Sequence, residues 1–151
     1  MKWVTRERPK IDRIACPWLI ARFIDDGPEF LYVPPGEVLA VAEKEGAIPY
    51  DIPDVEFSHV GELCSFDAFL AKYELEEPAL QQLAVIVRGA DTSRLDLTPQ
   101  SAGLFAMSLG LSATFADDHE MLAHGMVMYD ALYAWCRSCQ DEQHNWPPKM
   151  R

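Results

Sequence analysis

Three short stretches hold side chains whose types could do chemistry. FSHVGEL, residues 57–63, places His59 at the end of a predicted strand. VIVRGADT, residues 85–92, places Asp91 just beyond a predicted helix end, after Arg88-Gly89-Ala90. ADDHE, residues 116–120, places Asp118 and His119 at a helix start. Two imidazoles with one or two carboxylates, drawn from separate elements, make a workable ligand set for one divalent transition ion, Zn²⁺, Fe²⁺ or Mn²⁺. His59, Asp91 and His119 are the expected ligands, with Asp118 as a spare carboxylate. No short spacing such as HExxH enforces the set, and an isolated histidine is more often a solvated or hydrogen-bonded residue.

A second group is basic. Arg13, Arg22 and Arg88 present guanidinium forks that match planar or tetrahedral oxyanions. Asp130 stands between Tyr129 and Ala131 in an apolar stretch, so it needs a cation, and these three arginines are its candidate partners. His119 and Asp130 lie three turns apart on one helix, roughly 16 Å by helical rise, so they cannot share an ion. Cys16, Cys64, Cys136 and Cys139 include a lone CxxC at a helix C-terminus. The helix dipole there disfavours thiolate, and structural thiols are the simpler reading. Cys16 likewise reads as a small core residue more readily than as a reactive thiol.

The elements that must position these residues can be read from periodicity and punctuation. KWVTR, residues 2–6, reads as a short edge strand. A first helix is expected near Cys16, with Pro17 at its first helical position. EFLYV is a strand stopped by Pro34-Pro35, and EVLAVAEKEG, residues 37–46, a compact helix with Val38, Leu39 and Ala42 inward and Gly46 at its C-terminal cap. Short strands are expected near residues 48–51 and 56–60. A helix follows Ser65, in which Asp67 serves as a capping or dipole feature, and Pro78 starts another that ends near Gly89. Asp91 to Leu97 is expected as a loop, and Thr98-Pro99 opens a further helix. The last helix begins with a capping box, Asp117 and Glu120. Its apolar residues are not confined to one stripe, which predicts a buried central helix. The sum is an α+β, helix-dominated single domain, residues 1–139. It has a small, mostly antiparallel sheet in the N-terminal half and a long buried C-terminal helix. Residues 140–151 read as a polar tail, docked by Trp146.

Composition narrows the function classes. A chain of 151 residues with 49% hydrophobic content suits one folded domain with a full core. No apolar run is long enough to span a bilayer, and no signal peptide is evident, so a cytoplasmic protein is expected. The net charge of −11 argues against direct grip on nucleic acid. The basic residues near the start leave room for a small anionic ligand. Met-rich and aromatic faces are compatible with a homodimer.

The order of motifs resembles a known family. KWVTRERPKIDRIACPWLIARFID, then EFLYVPPGEVLAVAEKEGAIPYDIPDVEFSHVGELCSFDAFL, VIVRGADT and FADDHEMLAHGMVMYDALYAW are similar to the C-terminal domain of the chromate-resistance protein ChrB. The resemblance runs from Lys2 to about Arg137. It implies a ligand-sensing or metal-dependent domain, here expected as a stand-alone copy without the DNA-binding region of longer members. Within the matching motifs, the polar positions are Asp12, Arg13, Arg22, His59, Asp67, Arg88, Asp91, Asp118, His119 and Asp130. The leading expectation is a metal-binding domain, an enzyme or a sensor, acting on a small anionic ligand. The alternatives are an oxyanion sensor that uses arginines and no metal, and a structural remnant with neither.

Overall fold

A computed structural model describes residues 1–144, so the expected docking of Trp146 lies outside the described residues. The N-terminal half alternates strand and helix. Strand β1, Lys2–Arg6, leads into helix α1, Asp12–Leu19, which continues as a π-helical turn over Ile20–Ile24. Strand β2, Glu29–Val33, is followed by helix α2, Val38–Glu45, and the short strand β3, Ile48–Pro49. The sheet order is β2-β1-β3, and both pairings are parallel.

The expected antiparallel sheet is therefore corrected, and the reason was already in the element order. A helix separates each strand from the next, and a helical crossover returns the chain in the same direction. β1 is central rather than an edge, which is why its three middle residues are buried. The strand expected near residues 56–60 is reduced to isolated bridges, Tyr50 with Phe57 and Val60 with Leu63.

Five further helical segments complete the described chain: α3, Ser65–Lys72; α4, Pro78–Asp91; α5, Ser101–Thr114; α6, Asp118–Ala134; and a π-helical turn, Trp135–Cys139. Pro78 opens α4 as expected, and Asp117 caps α6 by accepting the Glu120 N–H at 2.8 Å. In α2, Val38 is buried and Gly46 closes the helix in the left-handed conformation, but Leu39 faces solvent.

Two boundaries differ from expectation in ways that matter below. α1 starts four residues before Cys16, so Asp12 is in its first turn and Pro17 is internal. Proline removes the N–H that would bond Arg13 O, and that carbonyl instead receives the Tyr32 hydroxyl at 3.5 Å. α4 runs on through Asp91, which ends the helix instead of opening a loop. The core gathers Trp3, Ile14, Trp18, Phe66, Leu83 and Tyr129 between the sheet and helices α1, α3, α4 and α6. α1 approaches α6 closely at Gly125, where an added Cβ would stand 2.5 Å from Ile14 Cγ2. α6 is buried on one face only, through Met121, Leu122, Gly125 and Tyr129, while Val127 is 66% exposed. The expected burial of this helix is thus corrected: one face packs on the core, and its outer stripe, Ala123, Val127, Ala131 and Ala134, faces solvent.

Candidate metal centre

The sheet brings one set of polar residues together at the carboxyl ends of its strands, where parallel sheets present ligand sites. Arg6 ends β1, Asp12 starts α1 just beyond it, and Asp51 follows β3. Asp91 arrives from the end of α4, and His59 from the loop between β3 and α3. Asp51 has φ 55°, a left-handed backbone in which aspartate is among the tolerated residues, and this turns the loop back over the sheet. Its N–H bonds Phe57 O at 2.7 Å, which closes the turn that carries His59.

One ligand atom from each of Asp12, Asp51, His59 and Asp91 lies within 4.8 Å of all the others. His59 Nε2 is 2.9 Å from Asp91 Oδ2, 3.2 Å from Asp51 Oδ1 and 3.8 Å from Asp12 Oδ2. Asp12 is wholly buried and ties two helix starts together. Its Oδ2 accepts the Ser65 N–H at 2.8 Å, and its Oδ1 accepts the Phe66 N–H at 3.1 Å and the Cys16 thiol at 3.3 Å. Asp51 accepts the Ser65 hydroxyl at 2.7 Å, and its outer oxygen faces Arg6 at 3.3 Å and Arg13 at 3.6 Å. His59 is the solvent-facing member, with 42% of its side chain exposed.

The electrostatics follow from crowding carboxylates in a buried place. Burial pushes the Asp12 carboxyl well above its usual range, and the neighbouring Asp91 and Asp51 push it further. Asp91 is raised to about 6, first by burial and then by Asp51, with His59 opposing. Burial would raise Asp51 as well, but hydrogen bonds from His59 and Ser65 and the charge of Arg6 hold it below its usual value. His59 is raised to about 9, chiefly by its hydrogen bond to Asp51, with the charges of Asp91, Asp51 and Asp12 adding and burial opposing. The three carboxylates thus crowd negative charge that Arg6 and Arg13 offset at Asp51 and that a proton on His59, or a cation, would offset between Asp12 and Asp91.

The residues present fit an ion. Ligands held ~2.1 Å from a metal are roughly 3.0 to 3.4 Å apart for octahedral or tetrahedral angles, close to the 2.9 and 3.2 Å from His59 Nε2 to Asp91 and Asp51, with Asp12 wider at 3.8 Å. A carboxylate oxygen that already accepts one N–H keeps a lone pair for coordination. Three carboxylates and one imidazole, with no thiolate in the set, suit Mn²⁺, Fe²⁺ or Zn²⁺. These four residues could hold a metal ion.

The sequence-expected residues divide. His59 and Asp91 meet in the cluster. Asp118 and His119 are not part of it: Asp118 binds Arg8, accepting its backbone N–H at 3.0 Å and its guanidinium at 2.8 Å, and the His119 ring packs edge-on against Tyr32 at 5.4 Å. Arg8 also donates to Ser112 O, Phe115 O and Ala116 O, so Asp118 belongs to a staple across the α5–α6 turn. Arg13 borders the cluster through Asp51. Arg22 forms a bidentate pair with Asp130, both bonds at 2.9 Å, and Trp18 Nε1 donates to the same carboxylate at 2.7 Å. Arg88 is paired just as fully with Asp67, whose Oδ2 also accepts the Cys64 N–H at the start of α3. Asp12 and Asp51, which complete the group that could hold an ion, were not expected there. Asp12 lay among the polar positions of the matching motifs; Asp51 had no local signal beyond a turn between prolines.

The loop that carries His59 continues into a cleft of about 350 Å³ lined in part by Gly61, Arg88, Thr92 and Arg94. Thr92 follows Asp91 in the chain, but none of the four cluster residues lines the cleft. All four cysteines are free, and burial raises the Cys16 and Cys64 thiols far above the range where thiolate forms. Among the described residues no helix is long and apolar enough to cross a membrane.

Comparison with known proteins adds the family. A curated relative, Protein ChrB of Cupriavidus metallidurans, is 29% identical over 133 residues, which cover 87% of this chain and 40% of the relative. The chain thus spans well under half of that relative's length. No solved structure matches. The model of the ChrB C-terminal domain matches residues 3–136, an interval that includes every residue of the Asp12–Asp51–His59–Asp91 cluster, and the chain belongs to that family.

Proposed function

We propose that this ChrB C-terminal domain is a metal-binding domain whose ion is held by Asp12, Asp51, His59 and Asp91. One observation carries the reading. His59 Nε2 has at most one proton, yet three carboxylate oxygens face it at 2.9, 3.2 and 3.8 Å. A single N–H makes one good hydrogen bond, or two shared ones. A divalent ion, by contrast, can be coordinated by all four groups at once. The imidazolium form is the competing occupant of the same space; its one Nε2 proton serves Asp91 and Asp51, while Asp12 is left with the Ser65 and Phe66 N–H groups and the Cys16 thiol and no cation of its own.

A small anionic ligand is the partner this site supports. His59 faces solvent, so an ion here keeps a coordination position on the solvent side, and Arg13 and Arg6, held beside Asp51, offer positive charge next to it. Arg22 and Arg88 support this less well, because each already has a bidentate aspartate that a ligand would have to displace. When bound, the ion would supply Lewis-acid polarisation of an oxygen ligand.

The test is elemental analysis of untagged protein, as purified and after reconstitution with Mn²⁺, Fe²⁺ and Zn²⁺. About one ion per chain is expected, with loss in His59→Ala and Asp51→Asn and retention in His119→Ala. No ion under any of these conditions would overturn the proposal.

A further inference from the structure

Helix α5 is out of place in a monomer. No charged residue occurs from residue 99 to residue 116, in a chain that is 25% charged. A helix apolar on all sides belongs in a core, yet only Ser101, Leu104 and Ser108 of its fourteen residues are buried. Met107 is 59% and Leu109 37% exposed. The neighbouring α6 repeats the pattern on its outer stripe, where Ala123, Val127, Ala131 and Ala134 face solvent. Between the two helices runs an open groove of about 740 Å³ that includes Met107, Leu111, Val127, Met128 and Trp135.

We propose that this α5–α6 face is the interface between two copies of this chain, packed as a four-helix bundle about a two-fold axis. Three features select a second copy as the occupant. First, the exposed apolar ridge lies beside the groove on the same surface, as an isologous contact requires. Ala102, Ala106 and Gly110 repeat every fourth residue along exposed positions of α5, so a partner helix can approach closely. Second, charge is complementary across a two-fold axis perpendicular to the helices. The acidic start of α6, with exposed Asp117 and Glu120, would lie over the partner's far end, where Arg137, 3.7 Å from Glu77 and over the Tyr133 ring of its own chain, is still 61% exposed. Third, the size is sufficient. A helix of α5's length spans about 21 Å, and two side by side are about 20 Å wide, roughly 400 Å² in projection. Two such faces, counted as accessible surface, reach the ~1,000 Å² that separates a biological interface from a casual contact. With −11 charges per chain, a charge-free face is also where two copies repel least.

The experiment is sedimentation velocity of the full chain across a concentration series, with thermal melts as the folding check. A dimer is expected for the wild type. Val127→Glu and Met107→Glu replace exposed residues and keep the fold, and each should weaken the dimer at least thirtyfold, as a central interface residue does. Arg137→Glu should weaken it less, and Glu120→Arg in the same chain should restore it. A wild-type monomer at every concentration would overturn the proposal, whether or not the groove then takes up an apolar dye. Dimers unaffected by Val127→Glu and Met107→Glu would overturn it as well.

Discussion

Two acidic centres in this molecule look alike on paper and behave oppositely. Around Asp130, one carboxylate faces one guanidinium and one indole N–H, and its charge is matched. The Arg22 hydrogen bonds hold its carboxyl below the usual range, and the side chain is 45% exposed. Around His59, three carboxylates share one imidazole, one of them wholly buried; Arg6 and Arg13 reach only Asp51, and Asp12 and Asp91 are pushed upward. A balanced ion pair on the surface is a fastener. Buried carboxylates crowded together, by contrast, mark a place that could hold a ligand.

The sharpest way to break this contrast is Asp12→Ala. It removes the acceptor for the Ser65 and Phe66 N–H groups as well as a ligand. Metal binding should be lost and stability should fall by roughly 3 kcal/mol, because two buried donors are left unpaired; calorimetry and metal titration would measure both. Asp12→Asn separates the two roles. It should still lose the ion, while the metal-free protein melts above Asp12→Ala: the amide oxygen keeps one of the two N–H partners, and relieved carboxylate repulsion offsets part of the loss of the other. A metal-free Asp12→Asn protein as unstable as Asp12→Ala would mean that the carboxylate charge itself, not a ligand site, is what the fold requires.

His59→Ala should weaken Mn²⁺ or Zn²⁺ affinity by ~100-fold or more, since even partners that only orient a ligand cost 10- to 100-fold. Isothermal titration would show it, and an affinity unchanged by the substitution would remove His59 from the site.

Acidity gives the next largest signal. His59 is raised to about 9 from an unfolded value of 6.5, so the folded metal-free chain holds a proton that the unfolded chain releases earlier. That stabilisation is complete below pH 6.5 and is lost as pH rises through 9. Asp91, raised to about 6, acts in the same sense at lower pH. The metal-free Tm should therefore fall between pH 6.5 and 9. A saturating divalent ion, which displaces the proton, should flatten that fall while binding more tightly as pH rises. Parallel melts with chelator and with metal across this range would decide it, and identical slopes would count against a shared site.

Arg22→Ala supplies the control at the small end. A half-exposed ion pair contributes about 0 to 1 kcal/mol, so stability should change by no more than that. Metal content should not change at all. A large loss of metal on this substitution would collapse the distinction between the two centres.

Much of this was readable along the chain because it depends on neighbours in sequence. The α6 cap is a contact over three residues, Pro78 starts α4 by its fixed φ, and Asp67 caps α3 from its first turn. The ChrB motifs, too, are local strings. The parallel sheet was legible in principle, since helices stand between the strands, and the expected antiparallel pairing overlooked what that connection requires. The partners of the ligand set were not legible. Asp12 and Asp91 are 79 positions apart, and only the β1–α1 crossover and the end of α4 bring them to one point. His119, by contrast, had every local mark of a ligand and faces Tyr32.

The sequence by itself determined which segments are helical, where most of them start and stop, which family the motifs resemble, and that His59 and Asp91 are chemically able to bind an ion. The tertiary structure alone decided that Asp12 and Asp51 join them, that Asp118, Asp130, Arg22 and Arg88 are paired elsewhere, and that an apolar face is left uncovered. The reason is physical: caps and propensities act over a few residues, whereas a ligand set and a charge balance are properties of distances between elements, which only packing fixes.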